Sequence, residues 1–191
     1  MKTIITIEEA NGLLRKYLKQ EHLLRHSRET EAIMRALARH FNEDEDLWGV
    51  SGLLHDLDLE QTANNLEKHG ERTCGILEEE GYSVPEMFHA IRAHTENLGF
   101  LNVKRESKMD YCLAAAESVT GLIVAYVLMR PDKRIEGANA SSLTKKFKDK
   151  SFAAKVSREL INGIEKVGLQ RNQFFEMSLD AMKGIASEMG Y

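Results

Sequence analysis

The stretch that decides the fold is Cys112-Leu-Ala-Ala-Ala-Glu117-Ser-Val-Thr-Gly-Leu-Ile-Val-Ala-Tyr-Val-Leu-Met129. It is almost unbroken apolar sequence and about long enough to cross a bilayer. Glu117, Ser118, Thr120 and Gly121 interrupt it. A lone carboxylate in lipid is costly, so the run reads as a helix buried in a protein core rather than as a membrane span. Its bounds extend from Ser107 to Met129, with Pro131 just beyond to stop it.

The surrounding chain also reads as helix. Thr6-Ile-Glu-Glu9 is a capping box that opens a helix to about Leu18. A second helix spans roughly Glu21 to Phe41, with Leu23, Ile33, Met34, Leu37 and Phe41 at helical spacing. Asn42 is read as the cap of a third helix, with Glu43, Asp44 and Glu45 in its first turn, ending near Asp56. Shorter helices are expected at about Gly70 to Glu80 and Val84 to Thr95, with a loop from Asn97 to Glu106. Gly81 stops the first of these, and Pro85 suits the first turn of the second. After a loop from Arg130 to Ala140, Ser141 to Met189 reads as two or three amphipathic helices. No alternating strand is evident. The expected class is all-α: a single domain over 1–191, with a functional core at about 21–129 and a helical C-terminal extension at about 141–191.

Composition narrows the function. Hydrophobic residues make up 42% and charged residues 29% of the chain, which suits a globular protein with a real core. Net charge is −4, whereas a duplex-binding protein normally carries excess positive charge, so no duplex nucleic acid is expected as a partner. Cys74 and Cys112 stand far apart and form no CxxC pair, which argues against a disulfide framework or a cysteine zinc site. Met1 to Ala10 lacks the apolar core of a signal peptide. A cytoplasmic location, with no membrane partner, is the expectation.

Four of seven histidines fall on inward helical phases. His26 continues the stripe 23, 26, 30, 33 and 37. His94 continues Met87, Ala90 and Ile91. His69 stands one and two turns before Thr73 and Ile76, and His55 ends an apolar helix with Asp56 directly after it. Glu117 is the only charge between Leu113 and Met129, with no Lys or Arg on its helix between Lys108 and Arg130. A buried, unpaired carboxylate costs several kcal/mol or changes its protonation state. Each residue alone has an ordinary core explanation. Together they point to a metal held by imidazoles and carboxylates, a donor set that suits Fe, Mn, Zn, Co or Ni better than Ca.

The order of these residues resembles the HD superfamily of metal-dependent phosphohydrolases. The likeness rests on His26, then Gly52-Leu-Leu-His55-Asp56, then the acid in Ala-Ala-Glu117-Ser-Val-Thr-Gly-Leu-Ile, and covers roughly Glu21 to Met129. The tail, with Lys145-Lys-Phe-Lys and Ser151-Phe-Ala-Ala, is similar to a bacterial branch of HD hydrolases. The resemblance implies an all-helical fold and one or two divalent ions (Fe, Mn, Zn, Co, Ni or Mg). It implies a first metal held by His26, His55, Asp56 and Glu117, and a second held with His69 and His94, bridged by Asp56. Two departures stand out. The family's last ligand is usually Asp, here Glu117. His55-Asp-Leu-Asp58 replaces the common His-Asp-Ile-Gly form and lacks the lysine of cyclic-dinucleotide phosphodiesterases. The implied reaction is hydrolysis of a phosphate ester, such as a nucleotide or another small phosphorylated metabolite. Asp56 and Asp58 are the candidate catalytic residues, Asp58 orienting water or a ligating histidine. Some HD-like proteins instead use two irons to activate oxygen, and a degenerate metal-binding regulatory protein is the third class.

A small phosphorylated substrate needs cationic anchors. Between Lys133 and Arg158 the chain carries eight basic residues against Glu136 and Asp149. Lys145 and Lys148, three apart on a helix, and Arg25, beside His26, are the candidates for phosphate binding.

Overall fold

Side-chain caps open five α-helices in the computed structural model, which describes residues 1–190. Thr6 and Glu9 form the expected reciprocal capping box, and α1 runs Ile7–Tyr17. Helix α2 spans Glu21–Phe41. Asn42 does not open the next helix. It sits at φ 55°, in the left-handed region, and closes α2. Asp44 caps α3 (Glu45–Leu54) instead, accepting from the Asp46 and Leu47 amides. Asn tolerates the left-handed conformation better than most residues, which explains the division of labour between two residues that both favour caps.

After a tight turn through His55 to Asp58 come α4 (Leu59–Thr62) and a 3-10 turn at Leu66–Lys68, neither of them evident in the sequence. Helices α5 (Glu71–Glu79) and α6 (Pro85–His94) follow. Ser107 and Asp110 form a second capping box at the start of α7 (Lys108–Met129). The C-terminal region holds α8 (Ala140–Lys148), α9 (Arg158–Asn162), α10 (Arg171–Gly184) and α11 (Ala186–Met189), more pieces than the two or three expected. The fold is all-α, with no strand among the described residues and one isolated bridge between Lys2 and Tyr82.

Helix α7 is the axis of the core. It is long and apolar enough to span a membrane, yet 67% of its most apolar window is buried inside the protein. It packs on α2, α6, α9 and α10. One continuous apolar cluster joins Ile33 and Leu37 of α2, Leu53 of α3, Ile91 of α6, Leu122 and Ile123 of α7, and Phe174 and Phe175 of α10. Fully burying each such side chain contributes roughly 1.5–3 kcal/mol.

Two glycines bring the elements of the site together. A Cβ on Gly52 would stand 2.9 Å from the Thr30 carbonyl and 3.0 Å from the Glu31 nitrogen, so only glycine lets α3 cross α2 at this distance. Gly70 has φ +81°, and a Cβ there would meet the Ile91 carbonyl at 2.8 Å. The first contact carries His55 toward His26 and the second carries His69 toward His94.

Candidate metal centre

Asp56 stands at the focus of four imidazoles. Its Oδ2 lies 3.3 Å from His55 Nε2 and 3.7 Å from His26 Nε2. Its Oδ1 lies 3.3 Å from His69 Nε2 and 3.6 Å from His94 Nε2. Each carboxylate oxygen thus faces its own histidine pair. Within each of the groups His26–His55–Asp56 and Asp56–His69–His94, the donor atoms lie within 4.8 Å of one another.

The far side of every ring is tied down. His55 Nδ1 donates to the Gly52 carbonyl at 2.8 Å, and His94 Nδ1 donates to the Ile91 carbonyl. His69 Nδ1 donates to Asp58 Oδ1 at 2.8 Å. The Thr120 hydroxyl gives its proton to the Glu117 carbonyl at 2.6 Å and so accepts from His26 Nδ1 at 3.0 Å. With Nδ1 the donor in all four, the neutral form of each ring aims an Nε2 lone pair at Asp56.

Nitrogens with only lone pairs cannot satisfy one another or a carboxylate. His55 Nε2 is buried and has no hydrogen-bond partner. A cation supplies what is missing, and imidazole with carboxylate is a donor set for a divalent transition metal. The residues therefore fit such an ion.

Without an ion, protons take its role. Burial lowers the affinity of His69 for a proton, but Asp56 and Asp58 on either side outweigh burial and lift it to about 10. Burial, then the neighbouring His55, holds His26 down to about 4. Burial opposes the charge of Asp56, but the surrounding histidines hold its carboxyl well below the usual range. Burial, then the charge of Asp56, pushes Glu117 up to about 7.

Two cavities open on the centre. The larger, about 590 Å³, lies between α2 and α7 and reaches His26 and Asp56. The smaller, about 250 Å³, reaches Asp56, His69, His94 and Glu117, and Leu160 of α9 lines it as well.

The structure thus brings His26, His55, Asp56, His69 and His94 to one point. Glu117 lines the smaller cavity but belongs to neither donor group, and its Oε1 accepts from the Ser118 hydroxyl at 3.4 Å. Asp58 is fully buried behind His69, its Oδ2 accepting from the Gly70 amide at 2.9 Å and the Thr73 amide at 3.2 Å. It touches a histidine rather than the open centre. Arg25 lines the larger cavity and lies 3.6 Å from Glu21. Lys145 and Lys148, exposed on α8, line neither cavity. Sequence reasoning missed Thr120 and the carbonyls of Gly52 and Ile91. Thr120 follows Glu117 by one helical turn, a signal available in hindsight of the fold alone.

No curated protein and no solved structure matches the chain. The family model of the HD domain matches residues 23–121, a span that runs from α2 past Thr120 and contains all four histidines, Asp56 and Glu117. HD domains bind divalent metals and belong to a superfamily of metal-dependent phosphohydrolases. A match over more than half of the chain, centred on this buried His/Asp cluster, makes the protein a member of the HD-domain family.

Proposed function

We propose that the protein hydrolyses a small phosphate ester, using one or two divalent ions. His26, His55 and Asp56, with Glu117 adding charge from the adjoining cavity, would hold the first. Asp56, His69 and His94 would hold the second. The observation that carries this reading is the division of the Asp56 oxygens between two histidine pairs, which suits a carboxylate shared by two ions. A divalent ion held by these residues would supply Lewis acidity, lowering the pKa of water and polarising a phosphoryl oxygen.

The chain's own residues do the rest. Asp56 offsets the positive charge. Asp58 and Thr120 hold His69 and His26 in the tautomer that presents Nε2. Asp56 is itself buried, and at that depth its charge interactions with a bound phosphate are stronger than they would be in open water. Arg25, at the rim of the larger cavity, meets the phosphate on entry. In the net reaction a water oxygen bonds to phosphorus, the ester P–O bond breaks, and the departing alcohol leaves with a proton from that water.

Asp56→Ala tests this. With the fold intact by far-UV circular dichroism, phosphate release should be abolished and metal content should drop. Retained turnover in the folded variant would mean the chemistry lies elsewhere. Oxygen uptake by iron-loaded protein in place of phosphate release would move it to the oxygenase class.

A further inference from the structure

The larger cavity bears on the substrate of the proposed hydrolysis. One end is the metal centre, through His26 and Asp56. Away from that end its walls are apolar. Gly121, Val124, Ala125 and Leu128 form one face of α7, and Leu23 of α2 and Leu59 of α4 stand with them. Thr120 is the polar group that α7 presents there; its proton goes to the Glu117 carbonyl and it accepts from His26 Nδ1, so it has no donor left for a ligand. The charged and titratable groups, His22, Arg25 and Glu29, all come from α2, beside His26. The α7 wall ends in Leu128, which is 58% exposed. A large apolar side chain left in water at the mouth of a site marks a surface made for an apolar ligand.

A nucleoside held with its phosphate at the centre would lay a ribose and a base along the α7 wall, where Gly121, Val124, Ala125 and Leu128 offer their hydrogen-bonding groups no side-chain partner, at a cost for each polar group that loses water there. An aliphatic or aromatic alcohol brings no such groups and gains by burial. We propose that the substrate is the phosphate monoester of an apolar alcohol. The phosphate meets the centre at His26 and Asp56, and the hydrocarbon lies along Val124, Ala125 and Leu128. These residues, with Leu23, determine specificity. The inference rests on the proposed hydrolytic function, since that reading puts the phosphate at the Asp56 end.

The probe is a series of alkyl phosphonates from ethyl to octyl, titrated calorimetrically into metal-loaded protein beside adenosine monophosphate. Affinity should rise about two- to four-fold per methylene, as for partly to fully buried CH₂ groups, and the longer phosphonates should bind more tightly than the nucleotide. Val124→Asn should flatten that slope. Leu128→Asn, on the solvent side of the wall, should shorten the chain length at which it levels off and keeps the test readable if the Val124 variant fails to fold. Ala125→Phe, which fills the cavity, should weaken the octyl compound at least about ten-fold relative to the ethyl compound, a discrimination within reach of an apolar pocket. A flat chain-length series in the native protein, or tighter binding of the nucleotide, overturns the inference. The slope reports the cavity and phosphate release reports the centre. A flat slope with phosphate release intact therefore sinks the apolar substrate alone, and a steep slope without phosphate release sinks the hydrolysis alone.

Discussion

His69 Nδ1 stands 2.8 Å from Asp58 Oδ1, inside the protein and on the side of the ring turned away from Asp56. The other Asp58 oxygen accepts from the Gly70 and Thr73 amides. One carboxylate thus both orients a histidine and caps the start of α5. Asp58→Asn keeps the shape, but its NH₂ must face either the Gly70 and Thr73 amides or the Nδ1–H of His69. The expected result is a loss of about 1–3 kcal/mol of stability and a 10–100-fold weaker second metal, on the usual scale for outer ligands of a site. Metal titration resolving two ions per chain checks it. An unchanged second affinity would reduce Asp58 to a helix cap.

Thr120 plays the matching part for His26. Thr120→Val is nearly isosteric and deletes the acceptor, leaving the His26 ring free to change tautomer. First-site affinity should drop about ten-fold, and the imidazole nitrogen shifts of His26 should show a mixture of tautomers. Thr120→Ser should restore both. A Val variant with native nitrogen shifts would show that the ring is held by packing alone.

Glu117 separates three descriptions of the first site. Glu117→Gln keeps the size and removes the charge, so metal affinity should weaken if the carboxylate faces the ion. Glu117→Asp installs the shorter acid. Weaker binding would mean that the cavity is adapted to the longer side chain, and tighter binding would mean that Glu is a damaged version of the site. Unaltered metal content in both variants removes Glu117 from the site. Equilibrium dialysis with each variant gives the answer.

Gly52→Ala links the fold to the centre. The added methyl would meet backbone atoms of Thr30 and Glu31 at about 3 Å, so α3 must move off α2. Overpacking of this kind costs about 1–3 kcal/mol, or a melting temperature lower by about 2–12 °C at this chain length. His55 moves with α3, so metal affinity should weaken as well. A stable variant with native metal affinity would show that the two helices tolerate separation.

Most of the fold was legible because its punctuation is local. The Thr6–Glu9 box, Ser107 and Pro131 each act within a turn or two, and the helices begin and end beside them. Asn42 misled because Asn caps both ends of helices, and only the backbone distinguishes the start of α3 from the end of α2. The convergence was legible for His26 and His94 because each continues an apolar phase of its helix; His55, Asp56 and His69 stand in the turns that follow α3 and precede α5, where the adjacent apolar helix and the His-Asp pair were the signal. The position of Glu117 outside both donor groups was not legible, since phase fixes a direction and not a reach. Lys145 and Lys148 illustrate the same limit. Spacing put them on one helix, but where α8 docks depends on packing against α10 and α7 that no local pattern encodes.

The anchoring of His55 and His94 on the carbonyls of Gly52 and Ile91 has a consequence for ion choice. Those carbonyls belong to the ends of helices and cannot follow an incoming ion. Side chains held by other side chains can rotate together to suit a larger or smaller guest, whereas rings pinned to main chain keep their spacing. For an ion bound at this centre, discrimination between cations of different radius would be delegated to the helix ends, and a neutral substitution in α3 or α6 that shifts either backbone oxygen would alter which cation is preferred while leaving every donor atom in the sequence untouched.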